Sequence, residues 1–184
     1  MKNEKIKIYT RGGGLISPFA LKPEDVDIDV IAHSLSNLCR FGGHTRHFYS
    51  VAEHSVAVSE LCSPENQLAG LLHDAAEAYI GDIVRPIKAA AFYMPDGLHG
   101  PMEEIAQVED RILAAVLGRF NLDPVLPDEV ILADNAIMVE EADRLIFDLG
   151  PVDPNEIYLP ARARELFLRA FDRLTIPIRE EAAA

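Results

Sequence analysis

Residues 68–88 read LAGLLHDAAEAYIGDIVRPIK. Leu, Ala and Gly fill its first half, and the pattern predicts an apolar helix over Glu65 to Asp74, with Pro64 near its N-terminus. Yet His73, Asp74, Glu77 and Asp82 interrupt this apolar background in quick succession. Taking an unpaired charge out of water is strongly unfavourable, so core segments avoid it. Either these side chains sit on a solvated edge, or something positive meets them inside.

The neighbouring segments decide between the two. VAEHSVAVSELC (51–62) reads as a helix, and a step of about 100° per residue puts Val51, His54, Val58 and Leu61 on one stripe. His54 is therefore expected to face inward. A helix over 127–149, opened by Pro127, Asp128 and Glu129, aligns Ile131, Asp134, Met138, Glu141 and Leu145 in the same way. An aspartate on an apolar stripe needs a cation, a cluster of donors or a metal. Asp143 lies about 900° of helical rotation from Asp134, half a turn off that face, so Asp134 is the candidate. Glu141 shares its face and is placed to hydrogen-bond a ligand or an arginine. His54, His73, Asp74 and Asp134 thus offer two imidazoles and two carboxylates from three helices. That nitrogen and oxygen set suits Mn²⁺, Co²⁺, Zn²⁺, Fe²⁺ or Mg²⁺ and leaves positions for water and substrate.

The rest of the chain is expected to frame this centre as one all-α domain with a core over 24–175. Residues 5–16 predict an extended piece and a glycine turn, a minor N-terminal β-hairpin, within a short extended segment 1–20. A helix is expected over 24–38, with Pro23, Glu24 and Asp25 in its first turn and Val26, Val30, Ala32 and Leu35 on its apolar side. FGGHTRHFYS (41–50) reads as a loop, 89–101 and 151–160 as further loops, 102–120 as a long helix and ARARELFLRAFDRL (161–174) as the last helix, before a tail at 177–184. In that last helix Leu166, Ala170 and Leu174 form the apolar stripe, flanked by Phe167 and Phe171, and the face serves the domain's own core or a homo-oligomer contact. With 49% apolar and 26% charged residues in 184, the composition is that of a globular protein. The net charge of −13 excludes non-specific binding to nucleic acid or membrane surfaces, and no apolar run predicts a membrane span. Without an export signal, Cys39 and Cys62 are expected as reduced, buried, helical thiols of a cytoplasmic protein.

The order His54, His73-Asp74, Asp134 resembles the H…HD…D signature of HD-domain metal-dependent phosphohydrolases. CRFGGHTRHFYSVAEHS (39–55), LLHDAAEAYIGDIVRPIK (71–88) and LADNAIMVEEADRL (132–145) look like the corresponding blocks of small HD hydrolases that act on nucleotides. That group includes the bacterial 5′-deoxynucleotidases and the phage-type dATP triphosphohydrolases. The resemblance implies an HD helical bundle with His54, His73, Asp74 and Asp134 as metal ligands. It makes Glu77 the residue that orients or deprotonates the attacking water and Asp82 a second acid near phosphate and sugar. It also makes Arg40 a phosphate contact. The deoxynucleotidases often carry tryptophan after that arginine and use it to exclude a 2′-hydroxyl. Here Phe41 stands there and the chain has no tryptophan, so the sugar preference does not carry over.

Phosphoester hydrolysis needs stabilisation of growing negative charge, and Arg40, Arg46, Arg85 and Lys88 are the cations near the motifs. His44 and His47 flank Arg46 in the glycine loop, where they either touch phosphate or cap and solvate the loop. His33 is expected to be structural and His99 exposed. Phe48 and Tyr79 are core residues or base-stacking platforms. The expected substrate is a nucleotide, with deoxynucleoside 5′-monophosphates split to nucleoside and phosphate. The alternatives are removal of triphosphate from a dNTP, a sugar-phosphate substrate, and a non-catalytic module that binds metal or nucleotide.

Overall fold

The computed structural model describes residues 6–93, 103–149 and 157–182, with side chains as far as Ile176 in the last segment. In chain order the elements are β1 (Ile8–Tyr9), β2 (Leu15–Ile16), α1 (Ile28–Asn37), α2 (Val51–Leu61), α3 (Gln67–Leu72), α4 (Glu77–Ile80), α5 (Arg85–Lys88), β3 (Phe92–Tyr93), β4 (Glu103–Glu104), α6 (Ile105–Arg119), α7 (Asp128–Leu145) and α8 (Pro160–Ala182). Short 3-10 turns at Pro18–Ala20, Pro23–Asp25 and Phe41–Gly43 join them. The fold is all-α, with the hairpin β1–β2 pairing Ile8 with Ile16 and Tyr9 with Leu15. The strands β3 and β4 form a second antiparallel pair.

The centre of the fold is the contact of α2 with α3. Ser50 caps α2 reciprocally: its side chain accepts from the Glu53 N–H, and the Glu53 carboxylate accepts from the Ser50 N–H at 2.9 Å. A Cβ on Gly70 would stand 3.1 Å from Ser59 Cα and 3.0 Å from Cys62 Sγ, so only glycine lets α3 lie this close to α2. The Ser59 hydroxyl donates to the Gln67 carbonyl across the same contact at 2.7 Å. α8 runs against α1, α2 and α3. Ile31, Leu35, Val51, Leu71, Leu72, Phe167 and Phe171 fill the space between them, and Val108, Ile112, Val116 and Leu117 of α6 close it. Val58, Cys62, Ala69, Val130 and Ala133 make a smaller cluster that seats α7 on α2 and α3. Among the described residues no helix is long and apolar enough to cross a membrane.

Several local expectations need correction. The helix expected over 24–38 is a 3-10 turn at Pro23–Asp25 followed by α1, because Asp27 breaks the chain with extended dihedrals and caps α1 through the Asp29 N–H. α3 stops at Leu72 rather than Asp74, and α7 at Leu145 rather than 149. Leu61 and Ile131, placed on buried stripes by periodicity, are about half exposed, since the adjacent Cys62 and Val130 take the inward places where α2 and α7 meet. On α8 the buried row is Ala163, Phe167, Ala170, Phe171 and Thr175, one position off the Leu166–Leu174 stripe, because the two phenylalanines take the core. The α8 backbone continues past Pro177 through 182, where a tail was expected. Cys39 and Cys62 are free thiols lying just outside helices, not within them. The loop expectations for 94–101 and 151–156, with His99, fall outside the described residues.

Replacing Gly70 by alanine tests the central contact. Alanine gains about 1 kcal/mol in helix propensity, but its methyl group must displace the α2 backbone. The expected net loss is about 1 kcal/mol or more, read as a lower urea midpoint at unchanged slope.

Candidate metal centre

After Leu72 the winding tightens: the Ala75 N–H donates to Leu72 O and the Glu77 N–H to Asp74 O, both at 3.0 Å and both reaching back three residues. This turn presents His73 and Asp74 to one hollow, with His73 Nε2 3.2 Å from Asp74 Oδ2. His54, wholly buried on α2, enters the hollow from the side, its Nε2 3.2 Å from His73 Nε2. α7 brings Asp134, whose Oδ1 lies 3.1 Å from His54 Nε2 and 3.9 Å from His73 Nε2.

The far nitrogens of both rings are already committed. His54 Nδ1 faces Glu141 Oε1 at 2.9 Å, and His73 Nδ1 faces the Gly70 carbonyl at 2.8 Å. Both acceptors require Nδ1–H, so in the neutral rings both Nε2 atoms carry lone pairs and point at one another. Two carboxylate oxygens join them. Such a convergence of lone pairs is repulsive until a cation enters it. His54, His73 and Asp74 offer donor atoms that all lie within 4.8 Å of one another, and this cluster can hold a metal ion. Two nitrogens bound to one ion at 2.0–2.1 Å would stand roughly 2.8–3.4 Å apart at octahedral or tetrahedral angles, which the two Nε2 atoms match.

Glu141, the expected partner of a ligand or an arginine, meets both: beyond His54 it lies 3.1 Å from Arg40 Nη2, and it accepts from the Tyr49 hydroxyl. Burial would raise its pKa, but His54 and Arg40 outweigh burial and keep it low. Asp74 behaves likewise, held well below the usual carboxylate range by His73, His54 and Arg40 against burial. Burial would lower His54, yet its hydrogen bonds to Asp134 and Glu141 raise its pKa. In the absence of a metal, a proton on His54 meets the converging lone pairs.

A cleft of about 210 Å³ opens beside the cluster. Arg40, Phe41, Asp74, Glu77, Asp82, Arg85, Lys88 and Asp134 line it, so it gathers most of the residues read from sequence. Gly81, with φ 85°, ends α4 and turns Asp82 into the wall. Phe41 also has a positive φ, 55°, a strained conformation for an aromatic residue, and Arg40 stacks over its ring. Glu77 is buried, with Oε2 lacking any hydrogen-bond partner, and burial together with Asp74 and Asp82 pushes its pKa up to about 10. Lys88 Nζ stands 3.8 Å from Glu77 Oε1 and 2.7 Å from Glu109.

Two expected members are elsewhere. Arg46 is bound to Asp148 and to the Arg144 carbonyl at the C-terminal end of α7, where those acceptors outcompete the cleft. His44 is exposed and does not line the cleft, the Phe41–Gly43 turn having carried it outward. His47 is exposed too, and Tyr79 lies in the core. Sequence reading missed Glu109 and Tyr49. Glu109 stands among ordinary charges of an amphipathic helix and carries no signal of its own, and Tyr49 shows only once the loop closes through the Arg40 N–H on Tyr49 O.

Comparison with known proteins gives relatives but no activity. The chain is 38% identical over 141 residues to YfdR, an uncharacterized protein of Escherichia coli, covering 77% of this chain and 73% of YfdR. It is 40% identical over 114 residues to an uncharacterized protein of Rhodobacter capsulatus, covering 57% of this chain and 53% of that protein. No protein-family model matches the chain.

The shift of Glu77 predicts a pH effect on the metal-free protein. A carboxyl raised from about 4.5 to about 10 in the folded state contributes stability below pH 4.5 that is lost as pH rises towards 10. Glu77→Gln removes this dependence. In chelator the variant should match wild type near about pH 4 and exceed it in urea midpoint near about pH 8.

Proposed function

The chain belongs to the family of the Escherichia coli protein YfdR, and we propose that it is a divalent-metal-dependent HD-type phosphohydrolase of nucleoside 5′-phosphates, acting on deoxynucleoside monophosphates. The observation that carries this reading is that the cluster's carboxylates Asp74 and Asp134 line one cleft with the buried acid Glu77 and the cations Arg40, Arg85 and Lys88, with His54 and His73 directly behind them. The donor set fits Mn²⁺, Co²⁺, Fe²⁺, Zn²⁺ or Mg²⁺, held by His54, His73, Asp74 and Asp134. When bound, such an ion polarises a phosphoryl oxygen and acidifies water.

The chain's own residues supply the rest. Arg40 stands at the junction of cleft and cluster and offers its guanidinium to a phosphate oxygen. Glu77 is the proton acceptor for the attacking water, its carboxyl being one turn from Asp74 and facing the cleft. Added positive charge in the cluster lowers its pKa towards the working range. Lys88, held by Glu109, adds to that effect. Asp82 faces the sugar side, and Phe41 with Val84 and Met138 gives an apolar wall for the nucleoside. The position of Arg46 outside the cleft supports a single phosphate over a triphosphate, since it removes one of the cations that β and γ phosphates would need.

Metal-stripped protein reloaded with each ion and offered dNMPs, NMPs and dNTPs should release orthophosphate and nucleoside from dNMPs. Asp74→Ala should abolish the release, and Glu77→Gln should lower kcat by about 10²- to 10⁴-fold with little change in KM. Intact triphosphate from a dNTP would replace the nucleotidase with a triphosphohydrolase. Metal binding without turnover of any of these would leave a binding module or another phosphoester.

A further inference from the structure

One carboxylate of the centre is divided between the cluster and a cation of the chain itself. Asp134 directs Oδ1 at His54 Nε2, while its Oδ2 lies 2.5 Å from Arg85 Nη2. Asn135 fixes the other arm of the fork, its Oδ1 accepting from Arg85 Nη1 at 2.8 Å. Asp134 is also the one member of the four that falls outside the set of mutually close donors, which closes on His54, His73 and Asp74. Its carboxylate is thus drawn towards the cleft mouth. The Arg85 side chain is 59% exposed, whereas Asp134 is only 15% exposed. A pair this wet on one side contributes little net stability, so the guanidinium can exchange partners. The best replacement for a carboxylate on an arginine fork is a phosphate, which matches the same geometry with more charge.

On the reading of this cluster as a metal centre, we propose that Arg85 is a positioning residue that competes with a divalent ion for Asp134 and passes to the phosphate of the substrate. Without phosphate, Arg85 neutralises Asp134 and sets a positive charge next to the ion's place, so the metal is held more weakly than its donors allow. Phosphate draws Arg85 away and returns the whole Asp134 carboxylate to the cluster. Metal and phosphate therefore favour each other's binding, with coupling beyond direct contact between them.

The test is the Mn²⁺ affinity of the full chain, read from free Mn²⁺ by electron paramagnetic resonance, with and without inorganic phosphate. Arg85→Ala and Arg85→Gln should each tighten Mn²⁺ without phosphate by roughly three- to tenfold. Phosphate should tighten Mn²⁺ in wild type and clearly less in either variant. Unchanged or weaker Mn²⁺ binding in both variants, or equal tightening by phosphate in all three proteins, would overturn the proposal while leaving the metal centre intact. Failure of wild type to bind Mn²⁺ at all would remove the metal centre, and this proposal with it.

Discussion

Two imidazole nitrogens, His54 Nε2 and His73 Nε2, face each other at 3.2 Å inside a helical core, each with its opposite nitrogen tied to a fixed acceptor. The contacts around Gly70 and Glu141 hold that pair in place. Lone pairs so placed repel, and the carboxylates of Asp74 and Asp134 add to the repulsion until a cation enters. The bundle is built so that they cannot escape. Gly70 lets α3 press on α2, and its own carbonyl sets the His73 tautomer, so one residue fixes both the helix contact and the ring. Glu141, buried and bridging His54 to Arg40, does the same for the other ring and links it to the cleft.

The cleft takes its character from this centre. Its acids are more numerous than its cations, and each cation already faces a carboxylate: Arg40 faces Asp74 and Glu141, Arg85 faces Asp134, and Lys88 faces Glu109 and Glu77. The largely buried pairs of Arg40 and Lys88 are oriented in advance, so these two cations present fixed donors to the cleft. Two acid oxygens of the cleft wall, Glu77 Oε2 and Asp82 Oδ2, are buried without a hydrogen-bond partner.

Much of this was legible in the residues. A helical step of 100° was enough to turn His54, Asp134 and Glu141 inward, because helix faces are set by local geometry. The interruption of an apolar run by His73 and Asp74 located the hollow for the same energetic reason that keeps charges out of cores. Less legible was whatever depends on contacts far apart in sequence. Closeness in sequence to the motifs put Arg46 among the expected cations of the site, yet acceptors about a hundred residues away at the end of α7 hold it. Glu109 could not be told from its charged neighbours, since its role exists only because α6 passes beside Lys88. The break at Asp27 shows a capping aspartate overriding a continuous apolar pattern.

The most direct measurement is anomalous diffraction from a crystal of the wild-type protein equilibrated with Mn²⁺. One strong peak bonded to His54 Nε2, His73 Nε2 and Asp74 is expected. A protein with no peak there, or with an ion bound only by surface carboxylates, would contradict it.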